Sequence, residues 1–151
     1  MTAALSIQRP PSRQDYESPP DLIAAVERRF GLLTMDLACT PGNAKAPDGI
    51  TLESSAPWPR EGRLWCNPPF RDADIWAARC AAWKPLRGGR LLLLTPASIG
   101  SNWFRDHVHG RAMVLALNPR ITFVGCDAPF PKDCMLSVFG DGPGFDVWRW
   151  K

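Results

Sequence analysis

The sequence predicts an α/β fold in which a central, mixed but mostly parallel sheet is flanked by helices. Three observations carry this expectation. Strand-length apolar runs alternate with stretches of helical periodicity along the chain. Arg90-Leu91-Leu92-Leu93-Leu94-Thr95-Pro96-Ala97 is apolar without alternation, as a central strand covered on both faces requires. The short run Gly62-Arg63-Leu64-Trp65-Cys66 ends abruptly in Asn67-Pro68-Pro69-Phe70, a polar and rigid group at a strand tip, where open α/β sheets hold their ligands.

At 151 residues and 45% hydrophobic content, the chain has the size of one domain with a single sheet. The net charge is only +3, yet fourteen of the eighteen basic residues are Arg, the better residue for gripping phosphate and stacking on bases. Such a balance permits a nucleic-acid partner without demanding one. Five cysteines, an odd number with no C-x-x-C pair, argue against a disulfide framework or structural zinc and suit a reducing cytoplasm. His107 and His109 are too isolated for a metal site, so no metal is expected. No segment has signal-peptide character or the length to span a bilayer, so no membrane role is expected.

Residues 1–15 read as an irregular N-terminal arm and 16–151 as the single domain. In the first helix Ser18 is the expected N-cap, Pro19 takes the first helical position, and Asp21 completes a capping-box-like spacing. Leu22, Ile23, Val26 and Phe30 repeat at helical spacing, and Gly31 stops the helix. Leu32 to Cys39 reads as the first strand, with the acid Asp36 at its carboxyl end, and Thr40-Pro41-Gly42-Asn43 as a turn. The glycine-rich G-x-G-x-x-G fingerprint is absent. Residues 44–61 read as a long loop. Beyond Phe70, Arg71-Asp72-Ala73-Asp74 opens a second helix that ends before Pro85 and Gly88-Gly89, with Trp76 and Trp83 assigned to packing. Residues 98–102 lead to a short helix with Trp103, Phe104 and His107. Arg111–Leu117 and Cys134–Phe139 are further strands, and Phe145–Trp150 is a candidate edge strand.

The strand-tip tetrapeptide suits an amine-bearing planar substrate. The two prolines fix φ and remove two donors, leaving carbonyls free to accept. The Asn67 oxygen and the Pro68 carbonyl can each take one hydrogen of an exocyclic amine, while Phe70 offers a stacking face. Such an amine is a poor nucleophile because its lone pair is delocalised into the ring. Two acceptors on its hydrogens favour a tetrahedral nitrogen and stabilise the positive charge that develops during attack, an oxyanion hole with its sign reversed. A proline-rich turn closing a strand is the plainer alternative.

Asn67-Pro68-Pro69-Phe70 resembles the catalytic motif of amino-methyltransferases, and the remaining landmarks resemble small phage-type DNA N6-adenine methyltransferases. The resemblance runs from about Tyr16 to Phe139. It implies a compact Rossmann-like fold, S-adenosylmethionine as cofactor, DNA as partner, and a cytoplasmic location in a bacterium, encoded by a phage or prophage. Tyr16, Ser18 and Pro19 match the family's cofactor-side segment. Asp36, Ala38 and Cys39, with Asn43, match its substitute for the glycine-rich loop. Asp48 or Glu53 corresponds to a further acid at the cofactor, and Trp58 to an aromatic that follows it. Arg71, Trp103 and Arg120 are the candidate nucleic-acid contacts. Many relatives carry Asp where this chain has Asn67, which keeps the acceptor oxygen without the charge. Cytosine N4 or a protein glutamine is the alternative acceptor, and a non-catalytic nucleic-acid-binding relic of the fold is the alternative outside enzymes. With little room for a separate target-recognition domain, specificity is expected to be loose or to need a second subunit, as in a homodimer.

Overall fold

The computed structural model describes residues 16–52 and 54–151; the expected N-terminal arm and Glu53 lie outside them. Helix α1 (Pro20–Phe30) precedes β1 (Met35–Cys39), β2 (Asp48–Thr51) and β3 (Arg63–Cys66). A single 3-10 turn, Phe70–Asp72, leads into α2 (Ala73–Ala82). Strands β4 (Arg90–Pro96), β5 (Met113–Asn118), β6 (Cys134–Phe139) and β7 (Gly144–Arg149) follow, with a π-helical turn at Phe104–Val108 before β5.

The seven strands form one sheet in the order β2-β1-β3-β4-β6-β5-β7. Only β6 runs against the others; it lies antiparallel between β4 and β5. From β1 the chain steps outward to β2, then returns to place β3 on the other side of β1. The direction of winding therefore reverses between β1 and β3, and the carboxyl ends of those two strands flank a crevice. Asp36 and Trp65 are register partners across it.

Both faces of the sheet are covered, which is why β4 lacks alternation. Leu92 and Leu94 join Leu22 and Val26 of α1 in one core, whereas Leu91 and Leu93 join Trp76, Ala77 and Cys80 of α2 in the other. All four leucines of β4 are fully buried, and each contributes about 1.5–3 kcal/mol by the usual scale. The start of β3 is keyed to β1: Thr34 N donates to Arg63 O at 2.9 Å, and Arg63 N to Thr34 Oγ1 at 3.0 Å. Gly62 sits at φ +82, and a Cβ there would collide with Thr34 Oγ1.

Several sequence expectations need correction. The first strand begins at Met35 rather than Leu32, and Leu32 is exposed. The interval expected to be all loop contains β2, a four-residue strand too short and too polar at its start for a period to register. The N-cap of α1 is Pro19, with Pro20 in the first turn, and no side chain caps it. Ser18 is spent elsewhere. The edge strand is present as β7. Among the described residues no helix bridges β2 and β3. Instead Trp58 packs into the second core and stacks on Trp76 at 6.1 Å, standing where a crossover helix would lie.

Candidate active site

The crevice opens into a cleft whose walls come from three segments. The stretch before α1 contributes Tyr16, Glu17 and Ser18; β1 and its loop contribute Asp36, Ala38, Cys39, Thr40, Asn43 and Lys45; β3 and its tip contribute Trp65, Asn67 and Pro69. Six of the eight residues expected at the cofactor therefore share one cleft. Pro19 does not line it, and its carbonyl accepts Ile23 N at the start of α1. Asp48, the alternative acid, opens β2 opposite Met35, at the strand end remote from the cleft.

Asp36 is 4% exposed. Its Oδ1 accepts Ala38 N at 3.1 Å and its Oδ2 accepts Lys45 N at 3.0 Å, so the carboxylate folds the β1–β2 loop around itself. Burial raises its pKa above the usual carboxylate value, against the two backbone donors and the nearby Lys45 charge, which lower it. A desolvated carboxylate on a cleft wall favours a cationic ligand. Lys45 Nζ in turn pairs with Glu17 Oε1 at 2.6 Å, linking the loop after β1 to the segment before α1. Glu17, Thr40, Lys45 and Leu52 line the cleft without having been singled out from sequence. The alternation of charge between Glu17 and Lys45 was the one available signal, and it carries no spacing rule because the pair is 28 residues apart.

Asn67 is the best-defined group in the cleft. Its Nδ2 donates to the Tyr16 carbonyl at 2.6 Å and to Ser18 Oγ at 2.9 Å. A main-chain carbonyl accepts and never donates, so the amide edge facing Tyr16 has to be the nitrogen. The opposite atom, Oδ1, is left as the acceptor on the other side of the amide. Ser18 is 1% exposed, which makes this a buried, two-point anchor.

The rest of the tetrapeptide is tied into the fold. Pro68 is buried. The Pro69 carbonyl accepts Asp72 N at 3.0 Å, closing the 3-10 turn, so it is not the free acceptor that two prolines in a row suggest. Phe70 stands in an aromatic cluster. Tyr16 stacks on it at 5.4 Å and 27°, and Phe123 and Phe130 meet it edge-on at 5.9 and 5.6 Å. One face of Phe70 is thus shared with Tyr16. Phe123 and Phe130, from the segment after β5, belong to the site's surroundings although the sequence motif does not include them.

The three candidate nucleic-acid contacts lie apart. Arg71 is exposed beside Asp72 at 3.7 Å, and Arg120 pairs with Asp133 at 2.9 Å on the surface. Trp103 is half-buried against the second core. Cys66, the residue before Asn67, is fully buried, and desolvation together with Cys80 pushes its thiol well up, so it is no thiolate nucleophile. Among the described residues no His, Cys, Asp or Glu group could hold a metal, and no helix is long and apolar enough to cross a membrane.

A family model described as DNA N-6-adenine-methyltransferase (Dam) matches residues 6–134. A DNA N-6-adenine-methyltransferase of Escherichia phage T1 is 23% identical over 113 residues, or 73% of this chain. The chain spans about half of that relative's length (47%). Among solved structures, a predicted O-methyltransferase of Agrobacterium tumefaciens superposes with a TM-score of 0.47 and 14% identity, covering 85% of this chain and 83% of its own.

Proposed function

Because the chain belongs to the DNA N-6-adenine-methyltransferase (Dam) family, we propose that it methylates the exocyclic amine of adenine in DNA, with S-adenosylmethionine as donor. The observation that carries the reading is the anchored amide of Asn67. Its nitrogen is held by Tyr16 O and Ser18 Oγ, which reserves Oδ1 for a hydrogen-bond donor. An adenine amine is such a donor.

The cleft suits the cationic donor on one direct count: it presents a buried, desolvated carboxylate, Asp36, on its wall. When bound, S-adenosylmethionine supplies an electrophilic methyl group on a positively charged sulfur. Tyr16, Ser18, Asp36, Ala38, Cys39 and Asn43 would hold it, with Lys45 and Glu17 beside them.

The chain's own part in the reaction follows from charge. As the amino nitrogen attacks, its lone pair leaves the ring and positive charge grows on it. Asn67 Oδ1 accepts one of its hydrogens, and that bond strengthens as the charge develops, which is the condition for lowering a barrier rather than merely binding. The target base is extruded from the duplex, since its amine is out of reach in the stack. Phe70, Tyr16 and Phe130 supply the aromatic surface that receives it, with the buried Phe123 behind them. Fixed placement of the two reactants contributes further to the rate.

The test is transfer of tritium from labelled S-adenosylmethionine to unmethylated DNA, with nucleoside analysis of the product. Label in N6-methyladenine is expected, and Asn67→Ala should lower the rate by about 100-fold or more, the loss seen when one preorganised partner is removed. Label in cytosine, or in protein glutamine alone, would reassign the acceptor. Absence of transfer together with absence of donor binding would overturn the enzyme reading.

A further inference from the structure

On the outer side of α2, away from the aromatic cluster, lies a groove between the 54–60 segment and the C-terminal half of the helix. Arg60, Arg79 and Lys84 converge on it, together with Trp58 and Trp83, and among the described residues no acid lines it. Among the described residues none of these three cations has a carboxylate partner, whereas six other basic residues do. Arg79 is half-buried, with its guanidinium 4.3 Å from the Trp58 ring and 5.0 Å from the Trp76 ring. Two indole faces offset part of the desolvation of that cation, but they offer no acceptor for its N–H groups. The Trp58 indole N–H is itself buried without an acceptor.

The groove is built before any ligand arrives. Trp83 Nε1 donates to Pro59 O at 2.8 Å and Arg60 Nε to Lys84 O at 2.7 Å, so the segment and the helix are clipped together at two points. The chain between β2 and β3 leads from the cleft to this groove. Leu52, which lines the cleft, lies six residues before Trp58, and α2 begins directly behind Phe70–Asp72. Six extended residues reach at most about 20 Å. That is the length of about six nucleotides along one strand.

We propose that this groove is a second DNA-backbone contact, in which Arg60, Arg79 and Lys84 take phosphates of the strand that leads away from the target base. A preformed groove with three cations that have no carboxylate partner among the described residues matches a run of phosphodiesters better than a single small anion. Arg79, held against both rings, presents its guanidinium fork to one of them. The inference rests on the DNA-methyltransferase reading and extends it to residues outside the family motif.

Anisotropy of a labelled unmethylated duplex, measured across a salt series, tests it. Each lost phosphate contact removes about 0.9 from the slope of log K against log salt. Lys84→Ala, whose exposed side chain makes none of the clips, should flatten the slope by about 1, and Arg60→Ala/Lys84→Ala by about 2. Affinity for S-adenosylmethionine, measured alongside, should stay at the wild-type value in both. A wild-type slope in both variants would overturn the groove and leave the enzyme reading standing. A wild-type protein with no affinity for DNA would overturn the groove and the DNA reading together.

Discussion

Replacing Asn67 by Asp is the sharpest perturbation of this site, because chemistry and structure predict opposite outcomes. A carboxylate is the stronger acceptor for a nitrogen gaining positive charge, with hydrogen bonds roughly twice as strong as a neutral amide's, so the reaction alone favours Asp. The surroundings do not. Nδ2 faces the Tyr16 carbonyl at 2.6 Å and Ser18 Oγ at 2.9 Å. Ser18 can turn its hydroxyl and donate to a carboxylate, so that contact survives. The Tyr16 carbonyl has no hydrogen to give. Asn67→Asp therefore loses one bond of about 0.5–1.5 kcal/mol and turns two acceptors toward one another at about 1–3 kcal/mol. Against a gain of about 1 kcal/mol from the charged acceptor, the net loss is about 0.5–3.5 kcal/mol, or about 2- to 400-fold in rate if the group is displaced from its transition-state position.

Single-turnover methyl transfer, with thermal melting in parallel, reads both halves of this argument. The expected result for Asn67→Asp is a slower step and a lower melting temperature. A second comparison isolates the cause: Ser18→Ala should hurt the Asn67→Asp background more than the wild type, since only there is Ser18 the sole donor to the side chain. An Asn67→Asp protein as fast as the wild type, with an unchanged melting temperature, would refute the anchoring of the amide by Tyr16.

Three further outcomes are expected. Burial raises the Asp36 pKa, so its carboxylate opposes folding once ionised, and that cost is absent below the ordinary value and complete above the raised one. Donor affinity should consequently fall as pH drops through the raised value, and Asp36→Asn should flatten this dependence and weaken binding about 10-fold or more, as calorimetry across pH would register. Arg120→Ala should change stability by less than about 1 kcal/mol, because its pair with Asp133 is exposed, yet reduce the salt slope of DNA binding by about 0.9; an unaltered slope would leave the ion pair as its only role. Leu92→Ala removes a fully buried side chain from the α1 face of the sheet and should cost about 2–5 kcal/mol in chemical denaturation, a smaller loss meaning that the core closes over the gap.

How much of this was legible in the sequence depended on whether the relevant physics is local. The β4 leucine run, the β3 tip and both main helices could be read because burial, chain stiffness and helical period leave their marks within a few residues. The 48–51 strand could not, since four residues starting Asp-Gly gain their place from pairing with β1 rather than from any preference of their own. The same distinction runs through the site. Asn43 and Asn67 stand at a turn and a strand tip, and they could be singled out there, whereas Asp36 lies inside β1 rather than at its end. Glu17 with Lys45, and Phe123 with Phe130, become neighbours only once the chain has closed.

Ser18 shows what such closure changes. In the sequence it sits where a helix N-cap belongs, and the local rule assigns it to α1. In the fold Pro19 and Pro20 already begin that helix, so the first-turn donors that a serine would cap are fewer by one. The hydroxyl is released to a partner 49 residues away, and its work is to hold the Asn67 amide the right way round. The prolines after Ser18 and the asparagine before Pro68 thus belong to one device: a rigid helix start that frees a side chain, and a rigid strand tip that uses it. A variant that restored an amide donor at Pro20 would be expected to draw Ser18 back to its capping role and loosen Asn67. Slower methyl transfer from a more stable α1 would be the signature of that exchange.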